Sequence, residues 1–239
     1  MPAVLVHGVP ETFRIWDALR VEVGRDDVVA LALPGFDAPV PPGFTSTKEE
    51  YTAFVVAALE AIGEPVDLVG HDWGSLLVQR VASTRPDLIR TWAAGSGPVD
   101  VDYVWHDNAQ VMQSPAGEEL MAHMSGEGLH TMFVAEIGER AARDLADHVD
   151  DTMKASILAL YRSAVDVGAE WQPAVDALGD ARPATVIWGR HDPFAPVRYG
   201  ERLAARVGAE LVILESGHFW PAQCPVEAAA ALVALWERG

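Results

Sequence analysis

Cysteine is almost absent from this 239-residue chain, in which Cys224 stands alone. A single cysteine excludes an internal disulfide bond. Such low cysteine usage fits a reducing compartment, and we expect a cytoplasmic protein.

Basic residues are also scarce. The chain has 17 lysines and arginines against 35 aspartates and glutamates, a formal net charge of −18 at pH 7. A surface with this excess of negative charge repels phosphate backbones and anionic lipid headgroups. We therefore expect neither nucleic acid nor a membrane as a partner.

Long apolar runs are missing as well. No apolar stretch approaches the roughly 20 residues that a membrane-spanning helix requires, and no signal peptide is visible where Met1-Pro2-Ala3 leads into a short apolar segment. Half of the residues are nevertheless hydrophobic and 22% are charged, which is typical of a globular protein. The length allows one sizeable core, with or without a subdomain.

Short apolar runs alternate with helix-like patterns along most of the chain. One such pattern places Phe13, Trp16, Leu19 and Val23 on one helical face. The alternation predicts an α/β protein with a doubly wound parallel sheet. The apolar runs that predict strands are residues 3–6, 28–33, 66–69, 89–94, 185–188 and 210–214.

The alternation stops after the fourth of these runs. From about residue 98 to residue 182 the sequence is mostly helix-like and has no comparable strand pattern. We therefore predict a core domain formed by residues 1–97 and 183–239, with a helical cap of residues 98–182 inserted in it.

The segment Gly70-His71-Asp72-Trp73-Gly74 joins an apolar run to a helical pattern. A strand that turns into a helix over two residues directs its central side chain outward at a strained corner, and the close backbones require small residues on both sides. This is the nucleophile-elbow pattern, with Asp72 where serine is more common. In an ordinary glycine turn, Asp72 would only cap the following helix.

Four loops that leave predicted strands carry polar residues, and the carboxyl ends of parallel strands are where active sites of such sheets lie. Their convergence favours the elbow over the ordinary turn. The loops are His7-Gly8-Val9-Pro10, His71-Asp72-Trp73, Arg190-His191-Asp192 and Ser216-Gly217-His218.

These motifs, in this order, resemble the α/β-hydrolase superfamily, in the branch that contains epoxide hydrolases and haloalkane dehalogenases. The order nucleophile, acid, histidine corresponds to Asp72, Asp192 and His218. A carboxylate nucleophile displaces a leaving group at an sp³ carbon and forms an alkyl-enzyme ester. His218 then activates water, Asp192 orients His218, and the backbone N–H groups of Val9 and Trp73 are the expected oxyanion hole.

The resemblance leaves two leaving groups open. For epoxides, Tyr161 lies about where the second proton-donating cap tyrosine of epoxide hydrolases is found, and Tyr103, His106, His123 or His130 could replace the first, which is missing. For halides, Trp73 follows the nucleophile as in haloalkane dehalogenases, but Val9 has no side-chain donor where an asparagine is often found. A non-catalytic small-ligand-binding protein is the third alternative.

An apolar pocket would suit either chemistry. We expect Trp73, Phe36, Tyr103, Phe219 and Trp220 to contact a small apolar substrate, with no cofactor and no metal ion, because the remaining histidines lack metal-ligand spacing and the glycines form no dinucleotide fingerprint.

Relatives of this kind usually begin with two further strands before the one that leads to His7-Gly8. This chain begins at that third strand, so we predict six parallel strands, with residues 28–33 at a sheet edge. An apolar edge invites cover. We expect either a homodimer or the loop of residues 36–44 to cover it.

Overall fold

Six parallel strands form one sheet in the computed structural model, which describes all 239 residues. The order across the sheet is β2-β1-β3-β4-β5-β6, and every neighbouring pair is parallel. The predicted doubly wound α/β fold is therefore confirmed. The strands are β1 (Ala3–Val6), β2 (Val28–Leu31), β3 (Val66–His71), β4 (Ile89–Gly95), β5 (Ala184–Gly189) and β6 (Glu210–Leu214).

Six helices accompany the strands outside residues 98–182. The first predicted helix is divided, because the Thr12 side chain caps a 3₁₀ turn at Phe13–Trp16 before the α-helix begins. These helices are α1 (Asp17–Glu22), α2 (Lys48–Ile62), α3 (Trp73–Thr84), α9 (Arg198–Val207), α10 (Trp220–Gln223) and α11 (Pro225–Trp236).

Alternate residues of the strands supply two apolar cores, one on each face of the sheet. Val4 and Val6 of β1 join the core that includes residues of α2, α3 and α9, whereas Ala3 and Leu5 join the core that includes residues of α1 and α11. Side chains of a strand point alternately to its two faces, so a strand covered on both faces must be apolar throughout. All four residues of β1 are buried.

The chain between β4 and β5 is helical, and we call residues 98–182 the insert. Gly138, at φ 80°, separates two helical parts of its longest helix. The insert helices are α4 (Asp107–Gln113), α5 (Gly117–His123), α6 (Gly126–Asp147), α7 (Asp151–Arg162) and α8 (Val167–Leu178). None of the helices of the protein is both long and apolar enough to cross a bilayer.

β2 lies at the edge of the sheet, as predicted for the run at residues 28–33, although it ends at Leu31. Val29 on this strand is 45% exposed. The strand pairs only with β1, which leaves its outer row of backbone groups without a strand partner.

Candidate active site

Asp72 is placed by a tight turn between β3 and α3. Its backbone has φ 52° and ψ −122°, in the region that residues other than glycine rarely occupy. Gly70 and Gly74 allow the turn to close, since a Cβ on Gly70 would lie 2.2 Å from the Gly74 carbonyl oxygen and one on Gly74 would lie 2.0 Å from the Val6 carbonyl oxygen. The turn has the strand–corner–helix geometry of a nucleophile elbow.

His218 lies between two carboxylates. Its Nδ1 is 2.9 Å from Asp192 Oδ2, and its Nε2 is 3.4 Å from Asp72 Oδ2. The other oxygen of Asp192 accepts hydrogen bonds of 2.9 Å from the backbone N–H groups of Phe194 and Ala195. Asp192 is therefore held on both oxygens, and it fixes the Nδ1–H tautomer of His218.

The carboxyl group of Asp72 is ionised in this arrangement. Burial favours its neutral form, but the hydrogen bond and positive charge of His218 outweigh burial, with help from His71 and the N–H of Val9, so the pKa of Asp72 lies below its ordinary value. The pKa of Asp192 is lowered in the same way, by His218 against burial.

The imidazole of His218 responds in the opposite direction. Burial favours its neutral form, but the charges and hydrogen bonds of Asp192 and Asp72 raise its pKa well above the ordinary value of 6.5. The two carboxylates thus favour the protonated, positively charged form of His218. Removing the charge of either carboxylate lowers the pKa of His218 from this raised value.

The two oxygens of Asp72 have different surroundings. The backbone N–H of Val9 donates to Oδ1 at 2.8 Å, while Oδ2 faces His218. Trp73 is the first residue of α3, where backbone N–H groups have no partner within the helix. Oδ1 is thus held by a backbone amide, whereas Oδ2 lies beside the imidazole of His218.

A cavity of about 330 Å³ opens above Asp72 and His218. Tyr161 from α7 and Phe219 line it, as does Val9. Further wall residues come mainly from the insert and include four methionines that the sequence patterns did not single out. The cavity is also lined by His106, Met112, Leu120, Met121, Met124, Met132, Phe133, Ile157 and Phe194, among others.

Four of the five aromatic side chains that we expected to contact substrate lie outside this wall. Phe36 is fully buried against the rings of His7 and Tyr51. Trp220 is fully buried and packs against Trp16 and His71. Both are core residues below the site.

The other two support the wall from behind. Trp73 is 1% exposed and lies between Trp105, on which it stacks at 5.7 Å, and the edge of Tyr161 at 5.1 Å. The Tyr103 hydroxyl donates to the Phe194 carbonyl at 3.0 Å. Of the five, Phe219 alone lines the cavity.

Glu11 and His71 form a buried pair that sequence patterns did not assign. His71 Nδ1 lies 3.0 Å from Glu11 Oε1, and Glu11 Oε2 accepts from the N–H of Gly8 at 3.1 Å. His71 Nε2 is 2.9 Å from the carbonyl oxygen of His218, so this nitrogen carries a proton. The pair joins the loop of Val9, the elbow and the loop of His218. Glu11 within the motif His7-Gly8-Val9-Pro10-Glu11 is the signal that could have revealed it.

Donor atoms of Glu11, His71 and His218 also lie within 4.8 Å of one another, a spacing compatible with a metal ion. His71 already bonds Glu11 and the His218 carbonyl, however, and both ring nitrogens of His218 face carboxylates. The arrangement forms a hydrogen-bond network without needing an ion.

Comparison with known proteins agrees with this geometry. The profile of the alpha/beta hydrolase family matches residues 3–232. The chain is 28% identical over 98 residues to (E)-2-((N-methylformamido)methylene)succinate hydrolase of Acinetobacter baylyi, and 35% identical over 95 residues to epoxide hydrolase 2 of Siraitia grosvenorii. These matches cover 40% and 37% of this chain, and only 37% and 30% of the curated relatives.

Solved structures with the same fold cover nearly the whole chain at low identity. A meta-cleavage product hydrolase from Pseudomonas fluorescens has a TM-score of 0.82 at 14% identity and is matched over 91% of its length. A mutant of a proposed epoxide hydrolase from Pseudomonas aeruginosa has a TM-score of 0.81 at 20% identity, covering 99% of this chain and 88% of that one. The family profile, the sheet and the elbow agree, and the chain belongs to the alpha/beta hydrolase family.

Proposed function

We propose that the protein hydrolyses small apolar epoxides to diols through an ester on Asp72. The observation that carries the proposal is the identity of the elbow residue: an aspartate, with Oδ1 bound by the N–H of Val9 and Oδ2 facing the cavity residue His218. Attack of a carboxylate on an ester would give a labile anhydride, whereas attack on an sp³ carbon gives a stable ester that can be hydrolysed in a separate step.

In the first step, Asp72 Oδ2 forms a bond to one ring carbon while the bond from that carbon to the epoxide oxygen breaks. The electron pair stays on the oxygen, which takes a proton from the hydroxyl of Tyr161. Tyr161 lines the cavity with Asp72. Burial, and then the charge of Asp72, raise the pKa of Tyr161 well above 10, so its hydroxyl is protonated at neutral pH. The insert serves as the cap that carries this donor.

The charge state of His218 fits the second step. Ester formation removes the negative charge of Asp72, one of the two carboxylates that raise the pKa of His218. The imidazolium proton then replaces the proton that Tyr161 gave up, and neutral His218 becomes available as a base. His218 is the one buried imidazole between Asp72 and Asp192. The proton that it gives to Tyr161 after ester formation is therefore also the proton whose loss makes it a base for ester hydrolysis.

Neutral His218 takes a proton from water, which attacks Cγ of the Asp72 ester. Negative charge develops on Oδ1, where the N–H of Val9 donates. Collapse of the intermediate breaks the Cγ–Oδ2 bond, and the leaving alkoxide takes the second hydrogen of the attacking water, from the new hydroxyl on Cγ, as the proton of its second hydroxyl. Asp72 is again a carboxylate that holds one oxygen from water, and His218 is again an imidazolium.

The haloalkane dehalogenase alternative has less support. A halide needs donors at the leaving position, but Val9 has no side-chain donor, and the indole of Trp73 lies behind the cavity wall. The non-catalytic alternative gives no role to the arrangement in which His218 contacts Asp192 on one side and Asp72 on the other.

Styrene oxide in water labelled with heavy oxygen tests the proposal. With enzyme in excess and one turnover, the label is expected in the carboxylate of Asp72 and not in the diol. Label in the diol alone would mean that water attacks the epoxide directly. Bromide release from a bromoalkane without diol formation would favour the dehalogenase, and no turnover of either substrate would favour the binding protein.

A further inference from the structure

Asp192 lies in a short turn after β5, residues 192–195, which we call the acid turn. Its Oδ1 accepts from the backbone N–H groups of Phe194 and Ala195, each at 2.9 Å. Two side chains donate to the outer side of the same turn. The indole N–H of Trp188, on β5, donates to the Ala195 carbonyl at 2.6 Å. The hydroxyl of Tyr103, in the insert, donates to the Phe194 carbonyl at 3.0 Å.

The Tyr103 hydroxyl acts on a peptide group that also bonds Asp192. The carbonyl of Phe194 and the N–H of Ala195 belong to this one peptide group, and a donor on the carbonyl makes the N–H a stronger donor. Burial opposes ionisation of Asp192, and after the charge and hydrogen bond of His218 it is the N–H of Ala195 that lowers the pKa of this carboxyl. Tyr103 is therefore one peptide group away from the Asp192 carboxylate.

The hydroxyl of Tyr103 is a permanent donor at neutral pH. Burial, and then the charges of Asp72 and Asp192, raise the pKa of Tyr103 above its ordinary value of 10, so the hydroxyl keeps its proton. Its ring packs edge-on to Trp105 at 5.2 Å and to Tyr199 at 5.1 Å. These neighbouring rings hold the hydroxyl in place.

The acid turn contacts His218 in two ways. Asp192 Oδ2 lies 2.9 Å from Nδ1 of His218. The ring of Phe194 packs edge-on to the His218 ring, with the centroids 5.1 Å apart. A shift of the turn would therefore move the hydrogen-bond partner and a packing contact of the imidazole together. Asp192 stabilises the imidazolium that forms when His218 takes a proton from water, so the second step depends on this geometry.

We propose that Tyr103 is a positioning residue for ester hydrolysis, which holds the acid turn so that Asp192 keeps His218 in its working geometry. The inference rests on the proposed function. It gives Tyr103 a role other than the substrate contact or proton donor that the sequence suggested. No proton is transferred along this path, because each donor keeps its hydrogen. The insert would then contribute to both steps, through Tyr161 to ester formation and through Tyr103 to ester hydrolysis.

Tyr103→Phe removes the hydroxyl and keeps the ring, and Tyr199→Phe is the matched control. The Tyr199 hydroxyl donates to the carbonyl of Asp102 at 3.0 Å and accepts from Arg198, but it bonds no group of the acid turn. Each substitution deletes one oxygen atom from the same group of packed rings. Thermal melting of both variants measures the part of any effect that comes from packing alone.

Rapid quench and intact-protein mass with styrene oxide give the rate of each step. Tyr103→Phe is expected to slow ester hydrolysis about 3- to 10-fold, the effect of losing one ordinary hydrogen bond, and to leave ester formation within about twofold. Tyr199→Phe should leave both rates within about twofold. Ester hydrolysis at the wild-type rate in Tyr103→Phe, or slowed equally by the two substitutions, would overturn the proposal.

Nitrogen-15 NMR of protein labelled in its histidine rings measures the same effect without a substrate. The signals of His218 are those that His218→Gln lacks. In Tyr103→Phe the pKa of His218 should fall, with proton binding about threefold weaker, because Asp192 then holds the imidazolium less firmly. Asp72 and His71 also face His218, and neither variant alters them. An unchanged pKa in Tyr103→Phe, or an equal fall in the Tyr199 control, would contradict the proposal.

The two proposals can fail separately. If the wild type forms and hydrolyses the ester, and Tyr103→Phe matches it in both hydrolysis rate and pKa of His218, Tyr103 only packs and the proposed function stands. If the wild type forms no ester on Asp72, the proposed function falls together with the step assigned to Tyr103. The NMR titration then still shows whether Tyr103 holds Asp192 against His218.

Discussion

His218→Gln tests the division of labour between nucleophile and base. In the wild type, His218 Nε2 is 3.4 Å from Asp72 Oδ2, and its deprotonation of water is needed only after the ester has formed. Glutamine fills much of the same space but cannot act as a base at neutral pH. We expect ester formation to survive and ester hydrolysis to fall about 10²- to 10⁴-fold, the usual contribution of a general base.

The substitution also changes the pH at which the ester forms. The hydrogen bond and charge of His218 are the main factors that lower the pKa of Asp72. Without them, burial is opposed mainly by His71 and the N–H of Val9, so the pKa of Asp72 rises. Ester formation by the variant should therefore fail at a higher pH than in the wild type as the medium is acidified.

Intact-protein mass after mixing with excess styrene oxide measures the trapped ester, and peptide mapping locates it. The expected result is one adduct per chain, on the peptide that contains Asp72, increasing with time and persisting for many wild-type turnovers. Asp72→Asn combined with His218→Gln is the matched control and should remain unmodified. An adduct in that control, or wild-type turnover by His218→Gln, would refute the assignment of Asp72 and His218.

Three further results are expected. Gly74→Ala should destabilise the fold by about 1–3 kcal/mol or more, because its Cβ would lie 2.0 Å from the Val6 carbonyl oxygen. Gly43→Ala should cost only about 1–2 kcal/mol, because Gly43 has φ 81° and nothing lies within 4 Å of the added Cβ. Urea unfolding measures both values. Tyr161→Phe keeps the packing on Trp73 and should slow ester formation about 10- to 100-fold without a change in melting temperature; an unchanged rate would exclude Tyr161 as the donor. The loss of unfolding free energy caused by His218→Gln should be largest between about pH 4 and 6.5. Asp72 and Asp192, whose pKa values are lowered in the fold, stabilise it at pH values above their unfolded pKa values, and this stabilisation is lost on acidification. His218, whose pKa is raised in the fold, stabilises it below about pH 6.5, and this stabilisation is lost as the pH rises through the folded pKa. A loss that does not vary with pH would contradict this charge arrangement.

The strands and the elbow could be predicted from sequence because their signals are local. The short apolar run at residues 185–188 indicates a buried strand, and the structure has the fully buried strand β5 over Ala184–Gly189. The meeting of Asp72, Asp192 and His218 follows from topology, since each lies within four residues of the end of a parallel strand and these strands end at the same edge.

The cavity wall could not be predicted in the same way. Trp73 and Tyr103 are near Asp72 and aromatic, but whether a side chain faces the cavity or supports it depends on how the insert helices pack on the sheet, over separations of 30 to 90 residues along the chain. The Trp73 ring is covered by Trp105 and Tyr161 of the insert. The Glu11–His71 pair could not be predicted for a similar reason, because its two residues are 60 positions apart in the sequence.

Methionine is unusually prominent in the cavity wall, which includes Met112, Met121, Met124 and Met132. Unbranched thioether side chains adapt to ligands of different shape, so this wall favours tolerance over a single close-fitting substrate. The same sulfur atoms are open to oxidation, and each sulfoxide would turn an adaptable apolar surface into a polar, chiral one. Met132 is 61% exposed and would be the first to be reached by peroxide in solution, whereas Met112 and Met121 are buried. Oxidation in the surroundings of the protein would thus change the polarity of this cavity wall.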